Sequence, residues 1–252
     1  MTILILIYGL IIGSFLNVCI YRIPRSESIV WPGSHCPGCY TGLRWYDNIP
    51  VLSYFLLKGQ CRYCREKISL QYPLVETLNA IVYIIMYYKF SFTIDFVFYS
   101  LLSSLLIIIG FIDLKEMIIP DVLVIGILVL TLIYKGVNYL LYGITANLLY
   151  SLGGMFIAGG MFLAILILSG GGMGDGDVTL IGALGFVLGI KYILLTVFLS
   201  FVIGAIISIF LLITKIKTRK DPIPFGPLII LGFFITVLLG EELINLYIDL
   251  LF

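Results

Sequence analysis

The run Met161-Phe162-Leu163-Ala164-Ile165-Leu166-Ile167-Leu168 gives way within a few residues to Gly174-Asp175-Gly176-Asp177, and Val178 to Ile190 is apolar again. Two carboxylates and two glycines thus stand between two hydrophobic stretches. A charge at that depth is costly unless it has a partner or a task, so an acid there is a functional candidate. The rest of the chain shows the same apolar character. Of its 252 residues 61 % are hydrophobic and 12 % charged, where a soluble domain carries about 25 % charged residues. Apolar runs long enough for the roughly 20 residues of a bilayer crossing recur throughout. The fold class expected is therefore an all-α polytopic membrane protein. A net charge of +1 gives no reason to expect a nucleic-acid partner, and the partner of most of the surface is membrane lipid.

Eight apolar segments are marked, at 2–20, 72–88, 96–112, 118–134, 146–168, 178–190, 192–214 and 224–240. Residues 21–71 form the one long polar insert. Met1 to Ile20 has no basic start and no small-residue cleavage site, and reads as a retained helix rather than a signal peptide. The positive-inside rule orients the threading. With the insert inside, twelve of the fifteen basic residues are cytoplasmic: Arg22, Arg25, Arg44, Lys58, Arg62, Arg65 and Lys67, then Lys115, then Lys215, Lys217, Arg219 and Lys220. Only Lys89, Lys135 and Lys191 fall outside. Omitting the short sixth segment would move the last loop outside, so the charges favour its crossing.

One consequence concerns Asp113, expected in a polar turn that begins after the third segment. Two crossings separate it from Asp177, so both acids return to the same membrane face. Held together, two carboxylates share one proton: the ionised member activates water and the protonated member supplies a proton to a carbonyl oxygen. Asp121, after Pro120, and Asp175 suit helix capping instead. Gly174 and Gly176 offer backbone conformations closed to other residues and room for close approach.

The insert holds Cys36-Pro37-Gly38-Cys39 and Cys61-Arg62-Tyr63-Cys64, with a spacer marginally longer than the usual zinc-ribbon gap. Two C-x-x-C pairs on a cytoplasmic loop favour four thiolates, Cys36, Cys39, Cys61 and Cys64, on one structural Zn²⁺, with redox dithiols as the alternative. His35 reads as a bystander. The intervening Trp45, Tyr46, Leu52, Tyr54, Phe55 and Leu56 fit either a small core around the metal or an amphipathic piece on the membrane surface.

Together these stretches resemble the bacterial type IV prepilin peptidases, also called prepilin leader peptidase/N-methyltransferases. The resemblance rests on Gly13 to Val18 with Tyr21 to Pro24, Asn48 to Ser53, the cysteine pairs, and Tyr72 to Glu76. It continues through Ile112-Asp113 with Ile119-Pro120-Asp121, then Gly174 to Asp177, and Pro224-Phe225-Gly226-Pro227. Thr179 and Gln60 depart from the family's usual basic residues. The resemblance implies a GxGD-type intramembrane aspartic protease of the bacterial inner membrane with Asp113 and Asp177 catalytic. It implies prepilin or pseudopilin substrates cut after a glycine at the cytoplasmic boundary. It also implies N-methylation of the new N-terminus with S-adenosylmethionine, with Gly59 and Glu76 as candidates for that half. Gly174, Gly176, Pro120, Pro224 and Gly226 would shape the site. The domains expected are a first transmembrane helix at 1–20, a zinc domain at 21–71 and the peptidase at 72–252. Other readings are a protease without methyl transfer, a membrane thiol–disulfide oxidoreductase using the cysteine pairs, and an ion-coupled transporter.

Overall fold

In the computed structural model, which describes residues 1–143, 147–170, 172–218 and 221–251, the elements are helical. Gly171, Arg219, Lys220 and the first residue of the fifth predicted segment lie outside the described residues. Helix α1 spans Thr2–Arg22 and runs into a 3₁₀ turn at Ile23–Arg25. The insert contributes a 3₁₀ turn at Trp45–Asn48 and the short α2, Leu52–Leu56. Then follow α3 (Gln71–Phe90), α4 (Ile94–Glu116), α5 (Asp121–Tyr142), α6 (Leu148–Leu168), α7 (Asp175–Ile213) and α8 (Gly226–Leu251). Among the described residues six helices, α1 and α4 to α8, are long and apolar enough to cross a membrane. The protein is a multi-pass membrane protein.

The chain forms two compact units, residues 1–108 and 109–252, with the division inside α4. In the first, α1 and α3 pack antiparallel at a distance only glycine permits. A Cβ on Gly9 would lie 2.6 Å from Ala80 Cα, and one on Gly13 2.6 Å from Glu76 Cα. Without a hydrophobic drive between helices in lipid, such close backbone contact and buried hydrogen bonds hold the pair. Asn79 Nδ2 donates to the Gly9 carbonyl at 2.8 Å and Asn17 Nδ2 to that of Tyr72 at 3.1 Å. Ser104 Oγ donates to Asn79 Oδ1 at 3.0 Å.

In the second unit, Gly154 of α6 meets Gly185 of α7. A Cβ at either would strike the other's carbonyl. Four residues on, Gly189 has φ 71° and ψ −179°, which breaks α7 into helical parts at 175–188 and 190–213. The Tyr150 ring fills the space beside Gly189, and its hydroxyl accepts the Lys191 N–H at 2.7 Å. A backbone donor released by the break is thereby satisfied. Further along α7, Thr196 Oγ1 bonds Thr236 Oγ1 of α8 at 3.0 Å.

Several ends differ from expectation. Segment six begins earlier than expected, at Asp175, and the two helical parts of α7 that correspond to segments six and seven meet at Gly189. Helix α4 runs on to Glu116, so Asp113 lies within the helix and not in a turn after it. Leu114, Lys115 and Glu116 are good helix formers. Met117, at φ 54°, ends the helix with its N–H on the Asp113 carbonyl at 3.0 Å. Helices α5 and α8 also extend beyond their apolar cores, α8 taking in Glu241 and Glu242.

The glycine contact of α6 and α7 predicts a sharp contrast. Gly154→Leu should destabilise the detergent-purified protein by about 1–3 kcal/mol through overpacking. Gly160→Ala, with no atom within 4 Å of the added Cβ, should not. Thermal unfolding of the two variants checks this.

Candidate active site

Asp113 is 5 % exposed in the last turn of α4. Its Oδ2 accepts the Gly226 N–H at 3.0 Å. Gly226 opens α8, so this is one of the helix's unpaired N-terminal donors, where the dipole favours an anion. A Cβ on Gly226 would lie 2.6 Å from that oxygen. Asp177 is 7 % exposed in the first turn of α7. Gly174 is the N-cap, and the two residues bond reciprocally. The Asp177 N–H meets the Gly174 carbonyl at 3.2 Å, and the Asp177 carboxylate accepts from the Gly174 backbone. That second contact is the carboxylate half of a capping box.

Both acids line one cavity of about 500 Å³. The glycines of the motif act there through space. Gly174 has φ −71° and ψ 144°, ordinary extended backbone, and Gly176 lies in the helix without a positive φ. The expectation of special backbone conformations is thus replaced by one of close packing. A Cβ on Gly174 would come 3.3 Å from Asp177 Oδ2, and one on Gly176 2.8 Å from Ile119 Cβ. Ile119 also lies under Gly226, whose added Cβ would be 3.3 Å from Ile119 Cδ1. This isoleucine wedges the α4–α5 turn between the starts of α7 and α8. Sequence reasoning missed that role; the signal was a bulky side chain beside two glycines distant in sequence.

Pro224 lines the cavity, whereas Pro120 does not and serves as the N-cap of α5. Asp121 and Asp175 sit in the first turns of α5 and α7, as capping acids do, and both also line the cavity. Asp175 Oδ1 accepts the Gly176 N–H at 2.9 Å. Phe225 closes one wall in a three-ring cluster with Phe162 and Phe201, its centroid 5.9 and 5.3 Å from theirs.

The insert builds a second site. The sulfurs of Cys36, Cys39, Cys61 and Cys64 lie within 4.8 Å of one another, and none is disulfide-bonded. Cys36 Sγ and Cys64 Sγ are 3.8 Å apart. Tetrahedral thiolates at a metal–sulfur distance of about 2.3 Å are separated by about that much. The two knuckles repeat one design. The Cys36 N–H bonds the Thr41 carbonyl and the Tyr40 N–H the Cys36 carbonyl; Cys61, Glu66 and Arg65 reproduce both bonds. Tyr40 and Arg65 occupy matching left-handed positions at φ 56° and 61°. Backbone N–H groups of Gly38 and Cys39 point at the Cys36 sulfur, those of Tyr63 and Cys64 at Cys61. The Thr41 hydroxyl and N–H pull the Cys39 thiol down to about 6. These four residues can hold a metal ion. His35 is outside the cluster, with Nδ1 3.1 Å from the Gly33 carbonyl.

Asp47 is a residue the sequence did not flag. It is buried, and its carboxylate takes Arg62 Nε–H at 2.7 Å, the Tyr63 hydroxyl at 3.4 Å and the Arg44 N–H at 3.4 Å. It ties the second knuckle to the segment between the knuckles. Of the methyl-transfer candidates, Gly59 has φ +67°, and an added Cβ would meet the Tyr54 hydroxyl at 2.9 Å. Glu76 is buried and accepts the Val51 N–H at 2.7 Å and the Ser14 hydroxyl. The two flank α2 at opposite ends.

Helices closing on a buried pair of carboxylates, together with a tetracysteine loop, define a membrane protein with an acid site and a thiol site. Comparison with known proteins gives the family. The bacterial peptidase A24 N-terminal domain matches residues 7–90, and the type IV leader peptidase family matches residues 100–209. A prepilin leader peptidase/N-methyltransferase of Bacillus subtilis is 33 % identical over 248 residues, 98 % of each chain. One from Legionella pneumophila is 33 % identical over 96 % of this chain and 92 % of its own, and one from Pseudomonas aeruginosa 31 % over 97 % and 92 %. No solved structure matches. The chain belongs to the prepilin leader peptidase/N-methyltransferase family.

Asp47 generates a test separate from the carboxylate pair. With Zn²⁺ loaded onto the four cysteines, Asp47→Ala should speed its extraction by a chelator about tenfold, as loss of outer-shell support does. Time-resolved chelator absorbance measures it.

Proposed function

We propose that this protein cleaves the leader from type IV prepilins or pseudopilins after a glycine and methylates the amine so exposed. The observation that carries the peptidase half is the pair Asp113 and Asp177, each buried at a helix end on the wall of one cavity. Family membership supports the substrate class, which the names of the relatives state for those proteins.

In the mechanism, one aspartate is ionised and the other protonated. The ionised carboxylate takes a proton from water as the oxygen attacks the scissile carbonyl, and the protonated one gives its proton to the carbonyl oxygen. Collapse of the tetrahedral centre breaks the C–N bond, and the proton taken from water passes to the leaving nitrogen. The Gly226 N–H keeps Asp113 oriented through this exchange. Gly174 and Pro224 line the cavity that would receive an extended substrate backbone, the missing Cβ atoms of Gly176 and Gly226 make space for Ile119 and the Asp113 carboxylate, and Pro120 starts α5 beside the site.

Cys36, Cys39, Cys61 and Cys64 would hold Zn²⁺, which supplies folding energy to a loop too small for much core. S-adenosylmethionine would supply the methyl group. Glu76 and Gly59 are the residues assigned to that half. Asn17 Oδ1 and Gln71 Oε1, near the same end of α1 and α3, are buried acceptors without a donor, which suits an amino group. The membrane reading is eight crossings in the inner membrane, with the parts of α7 on either side of Gly189 as the sixth and seventh. The cysteine loop and both aspartates then face the cytoplasm, supported by the distribution of Lys and Arg. The first helix at 1–20, the zinc loop at 21–71 and the peptidase at 72–252 are the functional divisions.

Purified protein incubated with a synthetic prepilin and labelled S-adenosylmethionine, followed by mass spectrometry, should yield a mature chain bearing one methyl group. Asp113→Asn and Asp177→Asn should each lower cleavage by about 10²–10⁴-fold, while Asp121→Asn and Asp175→Asn keep most activity. Cleavage retained in either of the first two refutes the pair; an unmethylated product restricts the reading to proteolysis. Elemental analysis should find about one zinc per chain, and less in Cys36→Ser.

A further inference from the structure

Helix α2 turns its apolar side outward. Leu52, Phe55 and Leu56, at i, i+3 and i+4, are 60 %, 68 % and 79 % exposed, and residues so spaced share one helix face. The neighbouring 3₁₀ turn exposes Trp45 as well. Soluble surfaces rarely gather large apolar side chains in this way. The stretch is therefore not a core around the metal.

Its height relative to the membrane helices can be read from hydrogen bonds. The N–H of Val51, the residue that caps α2, is held by Glu76 of α3, which also takes the Ser14 hydroxyl of α1. Glu76 lies in the second turn of α3, a little more than one helical pitch from its start. It packs opposite Gly13 of α1, between two and three turns before the basic end of that helix at Arg22. Because α1 is a membrane-crossing helix, the start of α2 stands beside the membrane part of the pair, not beyond it. Val51 adopts φ 61° and ψ −50°. That conformation is costly for a β-branched residue, and the Glu76 bond secures the turn. Charge agrees with this placement. Arg44, Lys58, Arg65 and Lys67 are exposed on the insert and outnumber its exposed carboxylates, Glu27 and Glu66, while Asp47 is buried on Arg62. Cations beside an apolar face suit anionic headgroups above acyl chains.

We propose that α2 is a re-entrant membrane element: Leu52, Phe55 and Leu56 insert into the acyl region of an anionic leaflet, Trp45 lies at the headgroup level, and the tetracysteine loop is thereby docked on the bilayer. This placement goes beyond the peptidase reading and does not depend on it.

The chain has two tryptophans, Trp31 and Trp45. The full-length variant Trp31→Phe, Trp45→Phe, Leu56→Trp, in nanodiscs containing phosphatidylglycerol, has one reporter on the face in question. Replacing the lipids by chain-brominated ones should lower its emission about twofold, and aqueous acrylamide should have little effect. Quenching by acrylamide without quenching by brominated lipid would overturn the proposal. So would protection from both, which would mean that protein covers the face. Trp31→Phe alone, reporting from the native Trp45, gives the same readout should the triple variant fail to fold. It should be quenched most by bromine placed near the carbonyl end of the chain. Adding Phe55→Asp should abolish the lipid quenching while the metal content of the loop stays unchanged.

Discussion

The Gly226 N–H bonded to Asp113 Oδ2 is the contact on which the acid site depends. A carboxylate 5 % exposed in an apolar helix needs a donor. The chain supplies one from a helix start, where N–H groups are unpaired already, so no other hydrogen bond is given up. The arrangement demands glycine at 226, because a Cβ would occupy the space of the carboxylate. It also demands that α4 remain helical through Glu116, so that Asp113 is carried on rigid backbone. Asp177 repeats the solution locally, through the reciprocal bonds with Gly174. Ile119 then sets the spacing, since its side chain fills what glycine leaves vacant at both 176 and 226.

The same economy governs packing elsewhere in each unit. In lipid, helices associate where backbones can approach and polar groups can pair. Gly9 and Gly13 let α1 lie on α3, and Asn17 and Asn79 cross the gap to carbonyls. Gly154 and Gly185 do the same for α6 and α7. Gly189 differs, since its φ of 71° is a conformational requirement rather than one of space. The break leaves the Lys191 N–H to be satisfied by the Tyr150 hydroxyl, from the start of α6.

Properties that depend on composition over a whole segment were legible in the sequence: the polytopic helical class, the polar insert, and the identity of two acids at helix ends. The cysteine cluster was legible too, because the spacing within each knuckle sets its geometry. What escaped depends on contacts between distant residues or on propensity that hydropathy does not report. Hydropathy places the turn after α4 too early because it falls at Asp113, while helix propensity does not. Gly174 and Gly176 read as positions of special backbone conformation because glycine's freedom is visible in a sequence, whereas the nearness of Ile119 is not. Asp47 reads as any loop acid, and only folding brings Arg62 to it. Asp121 and Asp175 read as caps, which their positions match, but their share in the cavity wall emerges only in three dimensions.

Glu76 shows how far one buried carboxylate can reach. It sits in a pair of helices held tight by Gly9 and Gly13, where an acid without donors would be severely penalised. The donors it finds are the Ser14 hydroxyl on α1 and the Val51 N–H on the insert, so the carboxylate joins three segments. Strain at Val51 follows from that choice: the chain must turn sharply to present its N–H, and the next residue begins α2. The cost is local, while the gain is orientation of the stretch from Val51 to Gly59, where Gly59 at φ +67° reverses the chain toward the second knuckle. A carboxylate there thus orders an insert that has few apolar side chains buried of its own, and the knuckles complete what burial does not provide.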